Sequence, residues 1–335
     1  MWVWFVAGCC TLQQPALLCG NMKNIFSFLR LVRYPNLFFV VLTQYFFQYL
    51  IVVPILSHAG MSATLIDINF ALLVLSTVLL AAAGYIINDY FDVKMDAINK
   101  PRKLFISKSI KRRPAILAHQ IFTSVAIVIG IYVAWVTGNV KLAFINPIVA
   151  TLLWYYSTSY KRQPFIGNFI VAFLTALVIP LLVFYEQPLF HPQNNEELMA
   201  AYGIFIRTFF YFIFAFLVSL IREIIKDMED IEGDETYGCR TLPIVFGIPK
   251  TKLLVYFLCV VVIGLVALVQ SPFMRVHDYA RVIYLFQTVQ FPVFLIMWLL
   301  LRADTQKDFN RISTLVKVVM LMGIFTMAYF YFSLA

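Results

Sequence analysis

The sequence predicts an all-α protein, a polytopic membrane bundle of nine transmembrane helices, and three observations lead there. Hydrophobic residues make up 62% of the 335 residues and charged residues only 13%, whereas about a quarter of a soluble domain is charged. Mean hydropathy is +0.84. The apolar residues are gathered into runs long enough to cross a bilayer, and the charges fall in short segments between them. So little polar material cannot cover a water-facing surface, and lipid must be the solvent for much of the chain.

A hydrocarbon core of about 30 Å needs roughly 20 apolar residues per helix. Ahead of the first run, Met1–Gly20 is apolar but has no basic leader, so it makes a poor signal peptide. Residues 1–21 are read as an N-terminal extension, dispensable or preceding a start at Met22, and 22–335 as one membrane domain. An amphipathic stretch, Ile25–Arg33, suits a membrane interface. The spans then follow at 36–57, 65–87, 115–136, 141–158, 166–185, 205–222, 253–270, 280–301 and 314–333. The fourth is short, and the tyrosines Tyr155 and Tyr156 with Lys161 anchor its end at the interface.

Lysine and arginine in the loops set the orientation. Lys94, Lys100, Arg102, Lys103, Lys108, Lys111, Arg112 and Arg113 follow the second span. Lys161 and Arg162 follow the fourth, Arg222, Lys226, Arg240, Lys250 and Lys252 the sixth, and Arg302, Lys307 and Arg311 the eighth. The 58–64 and 186–200 loops have no lysine or arginine. The even-numbered loops and the N-terminus are therefore expected on the cytoplasmic side of the cytoplasmic (inner) membrane, with the C-terminus outside. The net charge of +9 lies in these loops and does not indicate a nucleic-acid partner. Cys9, Cys10, Cys19, Cys239 and Cys259 show neither a metal spacing nor a disulfide framework, and the four histidines form no i, i+4 pair.

Two acidic segments stand out from this background. Aspartates recur at the same offsets in each, as Asp89, Asp92, Asp96 and as Asp227, Asp230, Asp234. Positions i, i+3 and i+7 share one face of a helix, and Asn88 and Glu223 extend the two faces. Both segments end an even-numbered span, so both lie on the cytoplasmic side. Like charges on one helix face repel, most of all at the C-terminal end, where the helix dipole is already negative. One such segment reads as a solvated helix end. Two with the same spacing on one side call for hard cations, and magnesium binds a few carboxylates together with phosphate oxygens. Lys161, Arg162 and Arg102 are placed to meet the rest of a phosphate's charge.

Asn88-Asp89-x-x-Asp92-x-x-x-Asp96 and Asp227-x-x-Asp230-x-x-x-Asp234 resemble the paired motifs of the UbiA prenyltransferase superfamily. The resemblance extends over 23–333 and includes Asn99-Lys100-Pro101-Arg102 and Thr241-Leu242-Pro243. It implies magnesium as cofactor and a prenyl diphosphate as donor. The implied metal ligands are Asn88, Asp92, Asp96, Asp227, Asp230 and Asp234, with Asp89 behind them. Asp92, Asp96, Asp227, Asp230 and Lys161 become the implied catalytic residues, and Asn88, Arg33, Arg102, Lys161 and Arg162 the implied substrate contacts. After the first motif the chain departs from the commoner pattern, running Arg102-Lys103-Leu104-Phe105-Ile106-Ser107-Lys108.

Three stretches, Leu29–Asn36, Asn88–Arg102 and Tyr160–Asn168, look most similar to the geranylgeranylglycerol-phosphate geranylgeranyltransferase branch. That implies a lipid glycerol-phosphate ether as acceptor. An aromatic acceptor of quinone biosynthesis is the alternative, and an ion-coupled transporter is the alternative from another class. The carboxylates sit at span ends on one side, whereas transport sites lie near the midplane.

Overall fold

Lipid offers no partner to backbone N–H and C=O groups, so an apolar run must satisfy them within itself, as a helix. The computed structural model describes residues 27–99, 106 and 111–334. Among the described residues every regular element is helical. The extension at 1–21, Lys100, Arg102, Lys103 and Lys108 lie outside the described residues.

The long helices are α1 (Tyr34–His58), α2 (Asp67–Asn99), α3 (Arg112–Val136), α5 (Ile166–Tyr185), α6 (Asn195–Glu229), α9 (Ile248–Arg275), α10 (Tyr279–Leu301) and α11 (Gln306–Leu334). A shorter helix, α4 (Ile145–Thr158), lies between α3 and α5, and α7 (Ile231–Thr236) and α8 (Leu242–Phe246) are one- to two-turn pieces after α6. Among the described residues eight helices, not nine, are long and apolar enough to cross a membrane. The span expected at 141–158 is divided, because a 3₁₀ turn takes Val140–Phe144 and leaves α4 with 14 residues, about 21 Å of rise.

Two helices run well past their expected ends. The apolar runs stop at 87 and 222, yet α2 continues to Asn99 and α6 to Glu229. At 33 and 35 residues they are about 50 Å long, far more than the hydrocarbon thickness. Hydropathy marks where lipid contact stops, not where helical hydrogen bonding stops. Arg222 and Lys226, read from sequence as loop residues, accordingly lie on α6.

Prolines explain two irregular turns. Pro54 and Pro292 have no N–H to continue the ladder, and the preceding residues, Gln48–Val52 and Phe286–Gln290, widen to π turns. A buried glutamine in each turn supplies polar contacts. Gln48 Nε2 donates to Leu65 O at 2.9 Å, and Gln290 Oε1 accepts from Gln270 Nε2 at 3.1 Å.

Small residues bring helices close. A Cβ on Gly130 would lie 2.1 Å from Asn146 Nδ2, which donates to Ser76 Oγ at 2.7 Å and Ala126 O at 2.8 Å and so ties α2, α3 and α4 together. A Cβ on Gly323 would lie 2.3 Å from the Phe214 ring. That contact joins α6 to α11, as do Tyr211 with Thr326 (3.0 Å) and Asn310 Nδ2 donating to Glu229 Oε1 (2.7 Å). The larger apolar core gathers α6, α9, α10 and α11, and the second joins α1, α2 and α5.

Candidate active site

The first acidic motif stays on one continuous helix, the last three turns of α2. The second does not. α6 stops at Glu229, Asp230 takes φ −102° and ψ 9°, and Asp234 belongs to α7. The single helical face expected for Asp227, Asp230 and Asp234 is therefore replaced by a corner. All three, with Asn88, Asp92 and Asp96, still line one cavity of about 330 Å³.

Asn99 joins the two motifs. Its Oδ1 accepts from Gly233 N at 2.8 Å and its Nδ2 donates to Asp230 O at 3.0 Å. Glycine is needed at 233 because a Cβ there would fall 2.4 Å from the Asn99 amide. A second strut runs from Cys239 Sγ to Met95 Sδ at 3.6 Å. These contacts hold the end of α2 against the α6–α7 corner.

The loop after α4 brings a cation to the same place. Tyr160–Arg162 form a 3₁₀ turn backed by Gly167, where a Cβ would lie 2.9 Å from Tyr160 O. From this turn Lys161 Nζ donates to Asp92 Oδ2. Burial works against the Lys161 charge, but Asp92, Tyr156 and Asp96 outweigh it and hold the ammonium above the usual lysine range. Asp92 is 2% exposed, so its side of the ion pair is buried in the cavity wall, while the Lys161 side chain stays partly exposed. Arg162 is exposed and does not line the cavity. Its carbonyl accepts from Arg240 N at 2.9 Å, which fixes the neighbouring loop.

Arg33 enters from the other side. It sits at φ 53°, ψ 52° ahead of α1, a left-handed conformation uncommon outside glycine. That turn places the guanidinium 4.9 Å from the Tyr85 ring, with Nη2 donating to Asp89 Oδ1 at 2.6 Å. Asp89 thus positions Arg33 and does not itself line the cavity, whereas Arg33 does. Arg102 lies outside the described residues.

Several cavity residues carry no sequence signal that singles them out. Asn168 Nδ2 donates to Asp227 Oδ2 at 2.8 Å. Tyr156, Ser219 and Lys317 also line the wall. Below the acidic mouth the lining turns apolar, with Val149, Leu153, Val171, Leu174, Val178 and Ile324 among its residues, which suits a hydrocarbon chain.

Among the described residues no three His, Cys, Asp or Glu side chains converge closely enough to enclose a metal unaided. The donor set is nonetheless one of hard oxygens, and Asn88 Oδ1 is buried without a hydrogen-bond partner. A buried amide oxygen left unpaired is unusual. Both facts fit magnesium, which takes few protein ligands and completes its shell with phosphate oxygens and water.

A sequence profile described as the UbiA prenyltransferase family matches residues 50–325. A digeranylgeranylglyceryl phosphate synthase of Methanosphaera stadtmanae is 29% identical over 248 residues, covering 73% of this chain and 82% of its own. The protein of that name from Sulfurisphaera tokodaii is 32% identical over 241 residues, covering 72% and 77%. A solved structure described for digeranylgeranylglyceryl phosphate synthase in membranes superposes with a TM-score of 0.59 at 24% identity, over 91% of this chain and 97% of that one. A UbiA homolog from Archaeoglobus fulgidus bound to DMAPP and Mg2+ gives 0.53 at 18% identity, over 89% and 99%.

Proposed function

This chain belongs to the UbiA prenyltransferase family, and on that footing we propose that it alkylates a lipid glycerol-phosphate ether with a prenyl group drawn from a prenyl diphosphate. It is a multi-pass integral membrane protein and an enzyme, a magnesium-dependent prenyltransferase. The observation that carries the reading is the convergence of both acidic motifs and Lys161 on one cavity whose deeper wall is apolar. The names of the relatives support the acceptor class. Basic residues crowd the loops at the motif end, which supports an active site on the cytoplasmic side of the inner membrane.

In the reaction the C1–O bond of the donor breaks and its electron pair leaves with the diphosphate. The acceptor hydroxyl oxygen forms the new C–O bond and loses its proton. Bound magnesium supplies neutralisation of the charge gathering on the departing diphosphate. Asn88, Asp92, Asp96, Asp227, Asp230 and Asp234 would hold it. Lys161 is held by Asp92, and its ammonium would turn to a phosphate oxygen if Asp92 served as a metal ligand. Asn168 fixes the Asp227 carboxylate. The apolar wall excludes the water that would quench an allylic cation, and Arg33 is placed to contact either anionic substrate.

The test is an acceptor panel. Protein purified in detergent is incubated with magnesium, labelled geranylgeranyl diphosphate, and either geranylgeranylglycerol phosphate or a hydroxylated aromatic acid. Labelled diether phosphate is expected, and EDTA is expected to abolish it. Transfer to the aromatic acid alone would overturn the acceptor class and leave the prenyltransferase standing.

A further inference from the structure

We propose that α6 and α11 build a second anion-binding patch, from Ser219, Arg222, Lys226 and Lys317, that receives the phosphate of the acceptor. The proposal rests on the glycerol-phosphate reading and assigns the residues that would read that group. All four line the cavity. Ser219, Arg222, Glu223 and Lys226 fall at i, i+3, i+4 and i+7, one face of α6. Glu223 Oε1 accepts from Arg222 Nη1 at 2.6 Å and its Oε2 from Lys226 Nζ at 3.4 Å, which holds both cations against the wall.

Lys317 comes from the facing helix. The contacts Glu229–Asn310, Phe214–Gly323 and Tyr211–Thr326 fix the antiparallel register of α6 and α11. In that register Lys317 is level with residues 220–222. It lies 11 residues into α11, about 16 Å from the helix start. A lysine at such depth is costly in lipid and is kept where a polar cavity or a partner receives it. Arg222, Lys226 and Lys317 together bring three cations to this wall of the cavity.

Two atoms point to a ligand. Ser219 is 4% exposed and its Oγ has no hydrogen-bond partner, and Arg222 Nε is likewise buried without one. A hydroxyl and a guanidinium N–H with cations beside them are what a phosphate monoester needs. Along α6, Arg222 is five residues below Asp227, about 8 Å. That separation leaves room for the reacting prenyl carbon and a three-carbon glycerol between the two anions. Lys161 serves the donor at the acidic mouth, and the patch serves the acceptor.

The experiment compares geranylgeranylglycerol phosphate with its dephosphorylated alcohol, using wild type, Lys317→Gln, Lys317→Arg and Ser219→Ala. Wild type is expected to favour the phosphate by about tenfold or more in kcat/KM, as a charge-assisted contact implies. Lys317→Gln should shrink that preference about tenfold, through acceptor KM, and Lys317→Arg should restore most of it. Ser219→Ala should shrink it less. Geranylgeranyl diphosphate KM, which also reports folding, should stay within about twofold in every variant. An unchanged acceptor preference in Lys317→Gln overturns the patch, and a matched rise in donor KM reassigns it to the diphosphate. A wild type indifferent to the acceptor phosphate would instead defeat the glycerol-phosphate reading, before any variant is made.

Discussion

Lys161 and Asp92 hold each other on the cavity wall, so metal and lysine compete for one carboxylate. That competition gives the two substitutions opposite signatures. Asp92→Asn removes a negative charge from the metal site, so the magnesium needed for half-maximal activity should rise while kcat falls about a hundredfold or more. Lys161→Ala frees Asp92, so the magnesium requirement should fall even as kcat drops with every acceptor. A rise in both variants would show that the pair does not trade partners. The pH dependence has a definite sign. Lys161 is raised above its unfolded value, so the stability it contributes is complete below the unfolded lysine pKa of about 10.4 and is lost only as pH climbs through the higher folded value. Assays between about pH 6 and 9 should see no titration from Lys161. Asp92 was legible in the sequence because a carboxylate in so apolar a chain needs a reason, and Lys161 because it is a base on the same side of the membrane as both acidic segments. Ser219 and Lys317 were not, since a serine within an apolar span and a lysine near its edge acquire meaning only from what they face.

Secondary-structure elements explain why the motifs meet. The sequence places each acidic group at a span end, and the structure agrees, but the joint between them depends on Asn99 and Gly233. Neither residue has a periodicity or charge that would disclose the contact; a 134-residue separation hides it. The corner at Asp230 was also hidden, because equal aspartate spacing in both motifs suggests equal helices. A double-mutant cycle tests the joint. Gly233→Ala pushes a Cβ to within 2.4 Å of the Asn99 amide, so it should loosen the α2–α7 contact and raise the magnesium requirement about tenfold, a coupling within the usual range for touching residues. Asn99→Ala loses two hydrogen bonds but makes room. In that background Gly233→Ala should do much less, and strictly additive effects would show that the two residues do not act through their contact.

At the scale of the whole molecule the bundle divides labour between its ends. The motif end must admit a metal and two substrates, whereas the far end is locked. There Glu186, 0% exposed, accepts from Gln48 Nε2 at 2.6 Å, Thr64 N at 2.6 Å and Leu65 N at 3.2 Å. One carboxylate thereby ties the α1 π turn and the α1–α2 loop to the end of α5. The sequence showed Glu186 only as an acid in a loop without basic residues; its burial follows from the packing of Leu56, Leu65, Tyr185 and Leu189 around it. Glu186→Ala leaves the buried Leu65 N–H unpaired and removes one acceptor each from Thr64 N and from Gln48 Nε2, which keeps Leu65 O; a buried unpaired donor costs about 1–3 kcal/mol, so the melting temperature in detergent should fall by several degrees. Glu186 and its partners Gln48, Thr64 and Leu65 lie outside the lining of the acidic cavity, so kcat and the magnesium requirement, measured well below that melting temperature, should stay within about twofold of wild type. Glu186→Gln keeps one acceptor oxygen and should lie between the two in stability. A Glu186→Ala protein that melts normally yet loses turnover would place this network in catalysis and refute the division between a working end and a locked one.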